Sequence, residues 1–497
     1  MTDETTVGIH AFGGYVPRRR LPRAAIYAAV GWFNPSLKGL ARGERAMACW
    51  DEDAITLAVE AARDCLGNRD RHAITRVTLA STSHPNLDRQ NSSIVKEALN
   101  LADTTAAFDI AGSQRAGTSA LMDALHAASG GAGELLCIAA ERGRQRAGSE
   151  AEMSSGHGAA AFVVGRGAGV ARLLGLHSVT VDFVDHFRAA GAQFDYFWEA
   201  RWIREAGFAR IAAEAVRTGL RRAKVPPERV NHFILPALLA GANTLVAKAV
   251  GIRPEAVSDV LADRVGDTGA AHPLVVLSQV LERAQAGEIL VVGGFGGGCD
   301  VLILETTAAL DGQRPATGIG GAIEEGWQDT NYLRYLSFAG LIDLERGMRS
   351  ELDQKPVLSA LYRERKGVLG LIGGRCRKTG TVQFPKSPVS VSQEDWAVNT
   401  QEDYPLADRQ ARVVTYTADH LTYCPDPPAY YGSVEFEGGG RMMAEFADIG
   451  TVSVEVGTPM RMVFRIKATD EQRGFTKYFW KATPDRRRLS GAAPRLA

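Results

Sequence analysis

The chain has 497 residues, 45% hydrophobic and 23% charged, with 57 Lys and Arg side chains against 57 Asp and Glu. That length exceeds one ordinary domain, and balanced charge without a basic stripe excludes a nucleic-acid footprint. No apolar run approaches the roughly 20 residues that cross a bilayer, the polar residues 1–6 do not read as a signal peptide, and six scattered cysteines point to a reducing, cytoplasmic setting.

In chain order, residues from about 6 to 307 alternate short apolar strands (77–80, 135–139, 160–164, 289–292) with Ala-rich helical stretches (54–65, 119–128, 211–223, 275–286). Short buried strands between helices predict an α/β layered fold. Residues 108–121 read as a strand, a sharp turn and the start of a small-residue helix. That layout holds one side chain against the positive end of a helix, and the residue there is Gln114. Residues 194–217, with Tyr196-Phe197-Trp198-Glu199, read as an insertion followed by the lead helix of a second half. Over 308–370 the pattern becomes charged amphipathic helix (333–346 and 357–365), read as a linker or docking arm. Residues 371–485 are all-β in pattern (412–417, 431–437, 442–446, 460–467, 476–481), which predicts a small barrel. The basic tail, 486–497, is expected to be disordered.

A set of segments then stands in a telling order. They are Gly8-Ile9-His10, Tyr15-Val16-Pro17, Asp51-Glu52-Asp53-Ala54, Ser113-Gln114-Arg115-Ala116-Gly117-Thr118, Gly156-His157-Gly158, Gly266-Asp267-Thr268-Gly269 and Gly293-Gly294-Phe295-Gly296-Gly297-Gly298-Cys299. As a set they resemble the thiolase superfamily, above all hydroxymethylglutaryl-CoA synthases and beta-ketoacyl synthase III-type enzymes. The resemblance implies a five-layered αβαβα body over 1–307, in two similar halves of about 1–170 and 171–307. The segment from Gly373 to Pro385 resembles the zinc ribbon that precedes the OB fold in proteins accompanying such enzymes. It implies a degenerate ribbon plus OB-type barrel over 371–485, acyl-CoA binding and association with thiolase-like subunits.

The family's catalytic set, also implied by resemblance, is replaced here at each position that can be placed. Gln114 stands for the cysteine nucleophile. Ile234, in Phe233-Ile234-Leu235-Pro236, stands for the histidine, with His232 two positions away. Asp267 stands for the asparagine, and Thr82, in Ser81-Thr82-Ser83, for the glutamate. An amide cannot be acylated as a thiolate is. By resemblance, a glutamine there holds a thioester or enolate in decarboxylating ketosynthases, and supports a catalytic partner in chain-length-factor subunits. The turn Gly296-Gly297-Gly298 is the candidate oxyanion site, where one donor is worth roughly 3 kcal/mol; a plain tight turn is the alternative. Candidate acid/base groups are Asp267, which the motif places, His84, His272 and Tyr196, each weighed against a structural role. For the phosphates of coenzyme A the candidates are Arg142, Arg144 and Arg146 on one loop and Lys38, Arg42 and Arg45 on another, with solvated surface charge as the plainer reading. Trp198 and Trp202, with Arg201 and Arg204, either wall a tunnel or form a helix face.

In the ribbon Cys376 stands alone, with Thr379 in the second hook position and no cysteine in 387–395. One thiolate among oxygen neighbours does not hold zinc tightly, so no metal is expected. The expected function is binding of acyl-CoA thioesters and making or breaking a C–C bond (retro-aldol, retro-Claisen or decarboxylation) without a covalent acyl-cysteine. The alternative is a non-catalytic subunit supporting a cysteine-bearing paralogue in a heteromeric acyltransferase or synthase complex. A third reading is an ordinary acyltransferase using Ser113, Cys137 or Cys299. Coenzyme A enters as part of the substrate, and a homodimer or a heterodimer with a paralogue is implied.

Overall fold

The computed structural model describes residues 6–345, 357–392 and 396–489. Its first half contributes β1 (Val7–Tyr15), β2 (Ile74–Ala80), β3 (Ala106–Ile110), β4 (Glu134–Glu141) and β5 (Gly158–Arg166). The second contributes β6 (Ala171–Thr180), β7 (His232–Ile234), β8 (Ile289–Phe295) and β9 (Gly298–Thr306). These nine form one mixed sheet in the order β7-β8-β9-β6-β1-β5-β4-β2-β3. Counted along the chain, the first half lies in the order third, second, fourth, fifth, first. The second half repeats that order once the parallel bridge from Phe233 to Val257 is taken as its third member. The halves join where β1 meets β6, at Gly8 with Arg172 and Ile9 with Ala171.

Three helical layers complete the body. Helices α3 (Ala116–Ser129) and α6 (His272–Leu281) pack on each other between the half-sheets. Helices α1 (Ala54–Leu66) and α2 (Asn91–Ala98) cover the outer face of the first half, and α4 (Ala213–Ala223) and α5 (Ala242–Val250) that of the second. Helix α1 starts where Asp53 accepts from the Thr56 N–H at 2.9 Å while Thr56 Oγ1 accepts from the Asp53 N–H at 2.8 Å, a reciprocal cap. Nearly every residue of α1 is buried, as in a helix covered on both sides.

The second cover is the C-terminal barrel, made of β10 (Ala411–Asp419), β11 (Ala429–Phe436), β12 (Arg441–Glu445), β13 (Pro459–Asp470) and β14 (Phe475–Pro484) in the order β12-β11-β10-β13-β14. A parallel bridge from Phe446 to Ala482 returns the end of β12 to β14. Its core residues Met462, Phe464 and Trp480 share one cluster with Ala58, Val59 and Ala62 of α1. Around this apolar joint Asp51 pairs with Lys481 at 3.0 Å, Glu52 with Arg465 at 3.1 Å, and Asp53 accepts from Tyr478 at 2.6 Å.

Residues 308–370 are more than a helical arm. Helix Gly318–Glu324 leads to Trp327–Gln328, which pairs in parallel with Arg19–Arg20, and then to helix Tyr332–Phe338. The helix expected over 333–346 ends here, just before Gly340 turns to φ +65°; residue 346 lies outside the described residues. The helix expected over 357–365 breaks at Glu364 into Leu358–Arg363 and Arg365–Val368. The expected insertion begins earlier than 194, as a two-stranded ribbon of His186–Phe187 with Tyr196–Phe197. Its helix runs from Ala200 through wider turns over Ile203–Ala212 into α4. The tail expected to be disordered from 486 begins as a helical turn, Arg486–Leu489, with Arg487 paired to Glu325 at 3.1 Å; residues 490–497 lie outside the described residues.

Candidate functional site

Strands β2, β4 and β8 end at one rim of the body, and a cavity of about 590 Å³ opens there, lined by Thr82, Gln114, Glu141, Asp267, His272 and Phe295. Ligand sites outside the carboxyl ends of parallel strands are the rule for α/β sheets. Gln114 reaches it through a turn that Gly112 makes at φ +88°. Ser113 Oγ donates to the Gly296 carbonyl at 2.7 Å, and a Cβ on Gly296 would stand 2.8 Å from that oxygen. Next along, Arg115 pairs with buried Asp300 at 2.9 Å, and Asp300 also accepts from Thr118, Ser119 and Ser178. The second half thus clamps the N-terminal end of α3, which is why Gln114 sits on rigid ground.

Glu141, the last residue of β4, also lines the cavity, and sequence reasoning did not single it out. It is buried, and its Oε2 accepts from the Thr82 N–H at 2.9 Å and the Thr82 hydroxyl at 3.0 Å. Burial pushes its carboxyl above the ordinary value, outweighing hydrogen bonds from Ser83 and Thr82 and the charge of Arg188. Its other oxygen, Oε1, is buried without a hydrogen-bond partner, and so is Gln114 Oε1. The two side chains meet over Gly269, where a Cβ would lie 3.0 Å from Gln114 Oε1 and 3.0 Å from Glu141 Cγ. From the insertion, Arg188 lines the same cavity, donating to the Thr82 carbonyl and to Asp195.

Of the expected residues, Gln114, Thr82, Asp267 and His272 converge. Asp267 Oδ1 accepts from the Gly269 N–H at 2.7 Å, and His272 Nδ1 faces the Thr268 hydroxyl at 3.1 Å. Others do not. Ile234 is fully buried among the middle-layer side chains, and His232 pairs outward with Glu288 at 2.8 Å on a part-buried edge. His84 faces the Ile110 carbonyl at 3.3 Å and does not line the cavity. Tyr196 is 57% exposed on the ribbon. Gly296 donates its N–H to the Gly298 carbonyl at 3.0 Å, and none of Gly296, Gly297 and Gly298 lines the cavity. No cysteine lines the cavity among the described residues; burial pushes the Cys137 and Cys299 thiols up to about 12.

Arg142 turns inward to the Phe338 carbonyl at 2.6 Å, whereas Arg144, Arg146, Lys38 and Arg42 are exposed. Buried Arg45 instead stacks on Tyr335. Gly143 and Gln145 of the arginine loop and Leu40 beside Lys38 line the cavity, so both basic segments border it. Trp198 and Arg204 line it as well, while Trp202 stacks on Phe183 at 5.8 Å and Arg201 pairs with Glu205. In the segment expected to resemble a zinc ribbon, Cys376 Sγ meets the Thr400 hydroxyl at 3.1 Å, and Thr379 donates to Thr381 at 2.9 Å.

Comparison with known proteins follows the two-part architecture. A family model described as 3-oxoacyl-[acyl-carrier-protein (ACP)] synthase III C terminal matches residues 220–304, and one described as ChsH2, C-terminal OB-fold domain, matches residues 404–465. The hydroxymethylglutaryl-CoA synthase of Aeropyrum pernix is 30% identical over 321 residues, 63% of this chain and 89% of its own length. That of Methanopyrus kandleri is 29% identical over 346 residues, 68% and 98% respectively. Among solved structures, HMG-CoA synthase complexed with CoA matches with a TM-score of 0.59 at 16% identity, covering 70% of this chain and 95% of that one. FabH, 3-oxoacyl-(acyl carrier protein) synthase III from Pseudomonas aeruginosa PAO1, matches at 0.55 and 19%, covering 61% and 98%. At these identities the structural likeness is one of fold.

Proposed function

This chain belongs to the hydroxymethylglutaryl-CoA synthase family of the thiolase superfamily, joined to an OB-fold domain, and from that membership we propose that it binds acyl-CoA thioesters and makes or breaks a carbon–carbon bond without an acyl-cysteine. One observation carries the reading: Gln114 stands at the N-terminal end of α3 beside buried Glu141, in a cavity that no cysteine lines among the described residues. The end of a helix dipole favours developing negative charge on a thioester oxygen, and an amide at that place orients the thioester without being acylated. The basic segments bordering the cavity receive the phosphates of coenzyme A, which is bound as part of the substrate, with no resident metal. The cytoplasm, where six free thiols persist, is the proposed compartment.

The test is direct. The purified chain, incubated with a panel of 3-hydroxyacyl- and 3-oxoacyl-CoA esters, releases a smaller CoA ester, and elemental analysis of the same preparation finds no stoichiometric zinc. An acyl adduct on any residue, seen by intact mass, would overturn the reading. A second reading rests on the exposed edge strand β3, where Phe108 is 50% exposed and presents a surface for two-fold pairing. In that reading a homodimer gives way to a heterodimer in which this chain supports a cysteine-bearing paralogue. Silence of the chain alone, with activity restored by such a partner, selects it.

A further inference from the structure

We propose that a second cavity, between the body and the barrel, binds a phosphate group, either the free ion or the phosphate of a small metabolite. It measures about 600 Å³ and shares no lining residue with the cavity of Gln114. Six arginines line it: Arg18, Arg63 and Arg69 from the body, Arg314 from the segment after β9, and Arg409 and Arg461 from the barrel side. Only four carboxyl groups do, those of Glu60, Asp64, Glu325 and Asp408.

The network around this cavity is short of negative charge. Glu60 is shared by Arg63 at 3.0 Å and Arg461 at 3.2 Å, and Glu325 by Arg18 at 3.0 Å and Arg487 at 3.1 Å. Asp408 is shared by Arg63 at 3.0 Å and Arg71 at 2.7 Å. Five guanidinium groups therefore divide three carboxylates. Asp64 does not make up the difference. It accepts from the backbone N–H groups of Gly14, Thr317 and Gly318, and burial pushes its carboxyl toward the neutral form. Arg69 and Arg314 have carboxylates of their own outside the wall, Glu134 at 2.9 Å and Asp311 at 3.1 Å. Arg409 stacks on Tyr404 at 4.3 Å and meets no carboxylate among the described residues.

A surplus of charge in a place that water solvates poorly is costly. Arg18 is buried and Arg461 half-buried. Burial and the like charge of Arg18 hold the Arg461 guanidinium below its ordinary value, although Glu60 and Glu325 oppose them. An entering anion relieves that strain. A phosphate dianion carries the charge that five guanidiniums on three carboxylates lack, and its oxygens match the forked donors of arginine. The volume falls within the range of small-ligand pockets, about 300–1,000 Å³, with room for a nucleotide as well as for the bare ion.

Titration calorimetry of the full chain with inorganic phosphate, pyrophosphate and ATP tests this, at an ionic strength fixed with KCl so that screening is common to all. Wild type is expected to bind at least one of them with a Kd below about 1 mM. Arg461→Gln is expected to weaken that binding about tenfold or more, whereas Arg144→Gln, beside the Gln114 cavity, leaves it within about twofold. Tighter binding of phosphate or pyrophosphate than of ATP assigns the free ion, and the reverse a phosphorylated metabolite. Wild type that binds none of the three overturns the proposal, as does undiminished binding by Arg461→Gln. Binding lost in Arg144→Gln puts the anion in the other cavity and overturns it too. Each of these failures leaves the acyl-CoA reading untouched. Should Arg461→Gln fail to fold, Arg409→Gln, at an exposed position, carries the test: weakening of about threefold or more is expected, and unchanged binding counts against the site.

Discussion

Glu141 is a carboxyl group placed where water cannot freely solvate its charge, with Thr82, Ser83 and Arg188 offsetting only part of that loss. The titratable side chains sharing its cavity are Glu150, Asp185, His186, Arg188, Asp195, Arg204, Asp267 and His272; the Asp185 contact lifts His186 above the usual imidazole value although burial opposes it. A carboxyl raised in the folded state binds its proton more tightly there than in the unfolded chain, so its contribution to stability is complete below the unfolded value of about 4.3 and is lost as pH rises through the folded one. Wild type is therefore expected to lose stability relative to Glu141→Gln over that interval, measured by urea unfolding at a series of pH values. A difference between the two proteins that does not change with pH would show the carboxyl to be unperturbed. Residues of this kind are hard to find in a sequence. Gln114 and Asp267 were legible because glycine-bearing motifs fix their neighbours in space, and Thr82 through the run Ser81-Thr82-Ser83. Glu141 merely ends an apolar strand, and nothing nearby in the chain announces that Thr82 will meet it. Ile234, which its motif put among the candidates, has its side chain sent into the core by the short strand β7.

Among the elements, the joint between α1 and strands β13 and β14 decides how the two parts hold together. Arg465 is 0% exposed and lies between Glu52 at 3.1 Å, Asp448 at 2.8 Å and the Tyr15 hydroxyl at 3.1 Å. Removing one partner of a buried ionic group leaves the others uncompensated, a loss of about 3–5 kcal/mol. Arg465→Ala is expected to lower unfolding stability by about that amount, whereas combining Arg465→Met with Glu52→Gln and Asp448→Asn recovers most of it. Equal stability of wild type and the single variant would show that the apolar contact alone makes the joint. The helix itself was plain in the sequence from its 3.6-residue period. Its second cover was not, because a helix buried on both faces differs from one buried on a single face only in its polar side, and here that side is taken up by the barrel, Glu60 pairing with Arg461 at 3.2 Å and Arg63 donating to the Met462 carbonyl at 2.8 Å. Two-residue strands such as Trp327–Gln328 carry no period at all and emerge only from their partners.

At the scale of the molecule, both halves of the body repeat one strand order, and the barrel adds a sixth layer by completing the core under α1. The alternation of strands and helices and the change to an all-β pattern made this two-part plan legible. The repeat of strand order and the seating of the barrel were not, since both depend on contacts hundreds of residues apart, such as Tyr15 with Arg465. A barrel joined to the body only by a linker would unfold by itself. Here Phe464 and Trp480 share a cluster with α1, Trp480 donates to the Leu369 carbonyl at 2.7 Å, and Arg63 of α1 reaches the Met462 carbonyl at 2.8 Å and stacks on Trp480. Unfolding one part exposes apolar surface of the other, so their free energies are coupled. Scanning calorimetry of the full chain is therefore expected to show one transition monitored alike by Trp480 and by the body, and Arg465→Ala to separate it into two. Two resolved transitions already present in wild type would mean that the shared core is too weak to couple barrel and body.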